Sequence, residues 1–182
     1  MAEGKDVEAL RRHWQANPEQ QELDLALGFM VRQAATVEFF LHQTVRRLVG
    51  GRHAALVTLS MQASGLLDAI KRIIDVGAVS EEAAEEMAEI SRKCRIAFKE
   101  RNKHVHGVRM IGTGASEIWT NNRRNGGIDQ HPVEAEKLVE LGIDLARLEF
   151  QLSEWNRHHL DGHPKRRNRI TSAPDQAGNS GE

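Results

Sequence analysis

Cysteine occurs once in this chain, at Cys94, so an internal disulfide is excluded and a reducing compartment fits best. No apolar run approaches the ~20 residues needed to cross a bilayer, and Met1 to Arg12 is charged where a signal peptide would carry its apolar core. A cytoplasmic protein with no membrane partner is expected. An excess of charge is missing too: 25 Lys and Arg stand against 26 Asp and Glu, so no global field marks a nucleic-acid binder and any such role needs a local patch. The sequence shows no internal repeat, no glycine loop of the kind that cradles phosphates and no Ser/His/Asp arrangement. Histidines are present in number, but His104 and His106, or His158, His159 and His163, have no Cys or carboxylate at a spacing that completes a metal site. Neither a metal nor another cofactor is expected.

What is present is helical periodicity. The 182 residues suit a single domain. From Gln21, the apolar positions Leu23, Leu27, Met30, Ala34, Val37 and Leu41 recur every three or four residues towards Gly50-Gly51, which predicts a long first helix. A second helix is expected from Ala54 to Gly77, with a kink or break near Gly65. Ser80 followed by Glu81 and Glu82 reads as an N-cap with acids in the first turn, opening a third helix that runs to His106. Beyond Gly107 the period shortens: Val108 to Gly112 and Ser116 to Thr120 predict a β-hairpin. Pro132 is placed at the first turn of a last long helix with Leu138, Leu141, Leu145, Leu148, Leu152 and Trp155 on one face. The fold class is therefore all-α: a helical bundle over residues 19–160 with a small β-hairpin inserted before the last long helix. Residues 1–18 are expected to be flexible or loosely docked. Residues 161–182, rich in Gly, Pro, Ser and charge, are expected to form a disordered basic-to-polar tail.

The third helix carries the chemistry. Met87, Ile90, Cys94, Phe98, Arg101 and Val105 share one face, with Arg95, Asn102 and His106 along its flank. Cys94 in that stripe reads as a small core residue. A guanidinium in the same stripe is costly unless it is paired or faces a wet cleft. In the first helix Glu38 interrupts the apolar stripe in the same way, so the economical reading pairs it with Arg101. Gly107 directly after His106 fits a helix that ends in the left-handed conformation.

Arg101-Asn102-x-x-x-His106-Gly107, closing an amphipathic helix, resembles the signature of the HEPN superfamily (higher eukaryotes and prokaryotes nucleotide-binding). A bare Arg-to-His spacing of this size also occurs at Arg124 and His131; here Asn102, Gly107 and the helical context set the motif apart. The resemblance implies an HEPN-like helical domain and metal-independent endoribonuclease activity of toxin or phage-defence type. It also implies a homodimer whose cleft is formed by the motif helices of two protomers. One branch is excluded: in HEPN toxins controlled by a nucleotidyltransferase antitoxin, a Tyr shortly after the His is modified, and this chain has no Tyr. Another antitoxin or defence partner remains compatible.

RNA cleavage by attack of a ribose 2′-hydroxyl needs proton transfer and a cation facing the phosphorane; an imidazole supplies the first and a guanidinium the second. The candidate catalytic residues are Arg101, His106 and Asn102, with Arg95, Lys99 and Lys103 as substrate-binding cations and Glu38 as support. Arg157, Lys165, Arg166, Arg167 and Arg169 extend the basic character beyond Trp155. The alternative is a non-catalytic HEPN-like module that binds RNA, a nucleotide or a protein, with Arg101 and Glu38 as a structural pair.

Overall fold

The computed structural model describes residues 3–51, 53–110, 117–121 and 126–161. Among them the chain runs α1 (Glu3–Gln15), α2 (Pro18–Val49), α3 (Ala54–Thr58), α4 (Ala63–Asp75), α5 (Glu81–His106), β1 (Val108–Met110), β2 (Glu117–Asn121), β3 (Ile128–Pro132) and α6 (Ala135–His159). It is mostly helical, with one small antiparallel sheet.

The N-terminal segment is helical, and two sets of hydrogen bonds tie it to α2. Trp14 Nε1 donates to Asp24 Oδ2 at 2.9 Å, and the Gln21 amide donates to the carbonyls of Trp14 and Gln15, each at 3.0 Å. Helix α2 starts at Pro18, earlier than the apolar pattern indicates: proline suits the first turn, and Asn17 Oδ1 accepts the Gln20 N–H at 3.1 Å as its cap. It ends where Gly50 and Gly51 take φ of 67° and 74°. Its buried residues, from Leu23 through Met30, Val37 and Leu41 to Val45, form the central stripe of the core.

Helices α2 and α6 share the most extensive contact in the fold. They run in the same direction, since Gly142 meets Phe29 and Met30 near one end and Asp161 meets Arg47 at the other. Glycine at 142 lets the Phe29 ring lie against α6: a Cβ would stand 2.4 Å from Phe29 Cε1, and the ring would have to swing away. Trp155 Nε1 donates to the Ala83 carbonyl at 3.0 Å and locks α6 to the start of α5, which Ser80 caps as expected through its Oγ and the Ala83 N–H. Cys94 is fully buried in this core.

Three expectations are corrected. The second predicted helix is two, α3 and α4, and the break falls over residues 59–62 rather than at Gly65, which sits inside α4; Leu56 and Leu59 are exposed. The hairpin is part of a three-stranded sheet in the order β1-β2-β3, with Trp119 opposite both Val108 and Gln130. The hairpin's turn lies outside the described residues. Pro132 ends β3 instead of opening α6, which begins two residues after Val133. A strand as polar as Ile128-Asp-Gln-His-Pro132 carries no apolar alternation; as the edge of the sheet, pairing on one side only, it needs none and tolerates a terminal proline. The predicted disordered tail beyond residue 161 also lies outside the described residues.

Candidate functional site

Three helices meet around an open cleft of about 580 Å³. Helix α2 contributes Glu38, the first turn of α4 contributes Gln62, Ala63 and Ser64, and α5 contributes Arg95, Phe98, Lys99, Arg101, Asn102 and His106. Five of the six α5 residues project from its last three turns on the side flanking the buried stripe. The sequence-predicted residues are thus brought together, with one exception. Lys103 does not line the cleft, and its ammonium lies 2.6 Å from Glu100.

Arg101 is half-buried. Its Nη1 donates to Asn102 Oδ1 at 3.0 Å, and its Nε is buried without a partner. The expected ion pair with Glu38 is not formed: both side chains border the cleft, but no salt bridge among the described residues joins them. The carboxylate and the guanidinium both face space that a ligand can enter, and Asn102 sets the orientation assigned to Glu38 at the outset. Arg95, by contrast, is tied across to α4 by Asp68 at 2.8 Å. His106 is exposed at the rim.

Two features of the site had no signal strong enough to be read from sequence. Helix α4 begins at the cleft with no side-chain cap from Gln62, so its first backbone N–H groups and the positive end of its dipole border a space already rich in cations. Ser64 adds a hydroxyl on the same turn. The second feature is the reason for Gly107. It does not adopt the left-handed conformation: φ is −81° and ψ is 153°, a backbone open to any residue. Glycine is needed because strand β2 crosses so closely that a Cβ would lie 2.0 Å from Ile118 Cγ2 and 2.6 Å from the Lys103 carbonyl oxygen. The sheet is thereby pressed against the end of α5 and holds the turn that presents His106.

Behind the cleft, His104 takes the inward position that the apolar pattern assigns to Val105. Its side chain is 10% exposed, its Nδ1 has no partner, and Val105 is 36% exposed. Burial lowers the His104 pKa; Glu100 opposes the shift, while Lys103 and His131 add to it. Burial pushes the Cys94 thiol up to about 12, which makes it inert as a nucleophile. No group of three or more His, Cys, Asp or Glu side chains able to hold a metal occurs among the described residues, and none of the described helices is long and apolar enough to cross a membrane.

Comparison with known proteins adds no relative: no protein-family model, curated protein or solved structure matches the chain. The cleft's chemistry therefore rests on its own residues. Guanidinium, ammonium and imidazole side chains, the first turn of α4 and one carboxylate border the same open space.

Proposed function

We propose that this cleft binds the phosphodiester backbone of RNA and cleaves it without a metal, in the manner of an HEPN endoribonuclease of toxin or phage-defence type. The observation that carries the reading is the convergence of Arg101, Lys99, His106, Glu38 and the uncapped start of α4 on one open space. In this mechanism the ribose 2′-oxygen loses its proton and attacks the adjacent phosphorus, the P–O5′ bond breaks, and a proton is delivered to the leaving 5′-oxygen. The products are a 2′,3′-cyclic phosphate and a 5′-hydroxyl. Arg101, aimed by Asn102, faces the charge that grows on the phosphorane oxygens, where a guanidinium fork matches the geometry. His106 and Glu38 are the two proton-transfer groups that border the cleft, one a donor when protonated and the other an acceptor. Lys99 holds a flanking phosphate, and Arg95 holds another only by exchanging its Asp68 partner for it; such contacts make binding weaken with salt.

The test is cleavage of end-labelled single-stranded RNA in the presence of EDTA. The parent is expected to cut, and His106→Ala to lose at least ~100-fold in rate, the usual contribution of a general acid or base, with unchanged melting because the side chain is exposed. Undiminished cutting by His106→Ala would reject the assignment. A second reading, RNA or nucleotide binding without cleavage, is favoured by one observation: no hydrogen bond among the described residues fixes the His106 ring. Salt-sensitive binding by a parent chain that never cuts would select it.

A further inference from the structure

The outer side of the α2 and α6 pair holds almost all of the protein's phenylalanine. Of five Phe, only Phe98 is buried; Phe39 and Phe150 are 55% and 66% exposed, with Phe29 and Phe40 half-buried beside them. In α2 the residues Leu25, Phe29, Arg32, Thr36, Phe39 and Gln43 follow alternating steps of four and three. In α6 the same steps link Val139, Ile143, Ala146, Phe150, Ser153 and Arg157. At about 100° per residue each series forms one stripe along its helix, turned away from the buried face. The stripes adjoin: Phe29 shares a hollow of about 450 Å³ with Ile143, Ala146 and Phe150, and Phe39 shares another of about 340 Å³ with Ser153 and Arg157. They make one grooved, apolar surface.

We propose that this surface is where two copies of the chain associate, face to face about a two-fold axis. Three observations select a second copy. Three of the face's four arginines are paired within the chain, Arg147 by Asp144 and Arg47 by Asp161, each at 2.8 Å, and Arg157 by Glu154, while Arg32 lies over the Phe29 ring; one unpaired arginine is a weak lure for a polyanion, and at a net charge of −1 the chain does not repel itself. The exposed fractions of Leu25, Phe39, Val139, Ile143 and Phe150 amount to roughly 500 Å² of apolar side chain, for side chains of ~150–250 Å². That is about the apolar share of a standard interface, ~800 Å² per partner and a little over half non-polar. The relief also offers both halves of a contact: the two hollows stand beside the exposed rings of Phe150 and Phe39, and an identical face supplies projections and hollows together.

Glu38 lies roughly 130° around α2 from the middle of the stripe. In such a dimer each cleft is complete within one protomer, unlike the cleft shared by two motif helices that the resemblance implies. The inference is independent of whether the cleft cuts RNA.

Sedimentation velocity from submicromolar to high micromolar concentration tests it. The parent is expected at twice the chain mass, with Phe39→Lys and Phe150→Lys each weakening association by at least ~30-fold, the loss typical of a central aromatic anchor. Both variants should keep the parent's circular dichroism, since both side chains are exposed, and its melting midpoint at concentrations where the parent is itself dissociated. Hydrogen exchange on the unaltered parent gives an answer that no substitution can confuse: amides of α2 and α6 should slow as concentration rises while those of α4 do not. A parent that stays monomeric, a dimer that both variants retain, or concentration-dependent slowing confined to the end of α5 would each overturn the proposal.

Discussion

Gly107→Ala isolates the contact that fixes the end of α5. At φ −81° and ψ 153° alanine is unstrained, and by restricting the unfolded chain it should gain ~0.4–1 kcal/mol. Against this, the new methyl would stand 2.0 Å from Ile118 Cγ2 and 2.6 Å from the Lys103 carbonyl oxygen. Ile118 is 4% exposed and packs against Gly107 from the middle of β2, so it has little room to retreat. The carbonyl is backbone and already accepts the Gly107 N–H at 3.1 Å, so moving it stretches the last turn of the helix. Overpacking of this kind costs about 1–3 kcal/mol, and two constrained neighbours place the site at the upper end. The net is a loss of ~2–2.6 kcal/mol. For a domain of this size each kcal/mol shifts the melting midpoint by ~2–4 °C, so a drop of ~5–10 °C is expected in a thermal melt followed by circular dichroism. Ile118→Ala combined with Gly107→Ala should cost less than the sum of the two single changes by ~1 kcal/mol or more, because the methyl then has space. An unchanged midpoint for Gly107→Ala, or strict additivity in the double variant, would refute the close-approach explanation.

Three other outcomes follow from the same geometry. Arg101→Ala should leave stability within ~1 kcal/mol of the parent, because no ion pair is lost and an unpartnered buried Nε is removed, and under the proposed function it should lower RNA affinity; a loss of ~3–5 kcal/mol in a denaturant titration would instead require a buried pair with Glu38. The pKa of His104 is lowered in the folded state, so its contribution to stability is present above its ordinary value of 6.5 and is lost as pH falls through the folded value; melting midpoints should decline below about pH 6.5, and His104→Leu should flatten that decline. Cys94, buried with its thiol at about 12, should react with a thiol reagent at pH 8 only through unfolding, so labelling should track denaturant; rapid labelling of the native chain would contradict its burial.

The site was legible in sequence to the extent that one helix builds it. Arg95, Lys99, Asn102 and His106 line the cleft because helical spacing puts them along one flank of α5, and Arg101 reaches it from the neighbouring apolar stripe. Lys103 shares that helix but turns to Glu100, three residues earlier and within local reach. The contribution of α4 was not legible: an uncapped first turn becomes a binding feature only when another helix faces it, and Gln62-Ala63-Ser64 has no pattern that announces this. Nor was the partner of Arg101, since the geometry between two helices, rather than the register within one, decides whether Glu38 reaches it.

By itself, then, the sequence determined the periodic elements: the long α2, the capped start of α5, the stripe of α6 and the burial of Cys94, all consequences of side-chain spacing against a 3.6-residue turn. Tertiary structure decided what spacing does not encode. It recruited the polar segment Ile128–Pro132 as an edge strand, because backbone hydrogen bonds to β2 need no apolar side chains. It made Gly107 indispensable for space rather than for φ, because β2 lies across it. It also left Phe39 and Phe150 exposed on α2 and α6 while Phe29 packs over Gly142 and Phe40 against the core, because the angle at which two helices meet decides which of their flanking rings is covered.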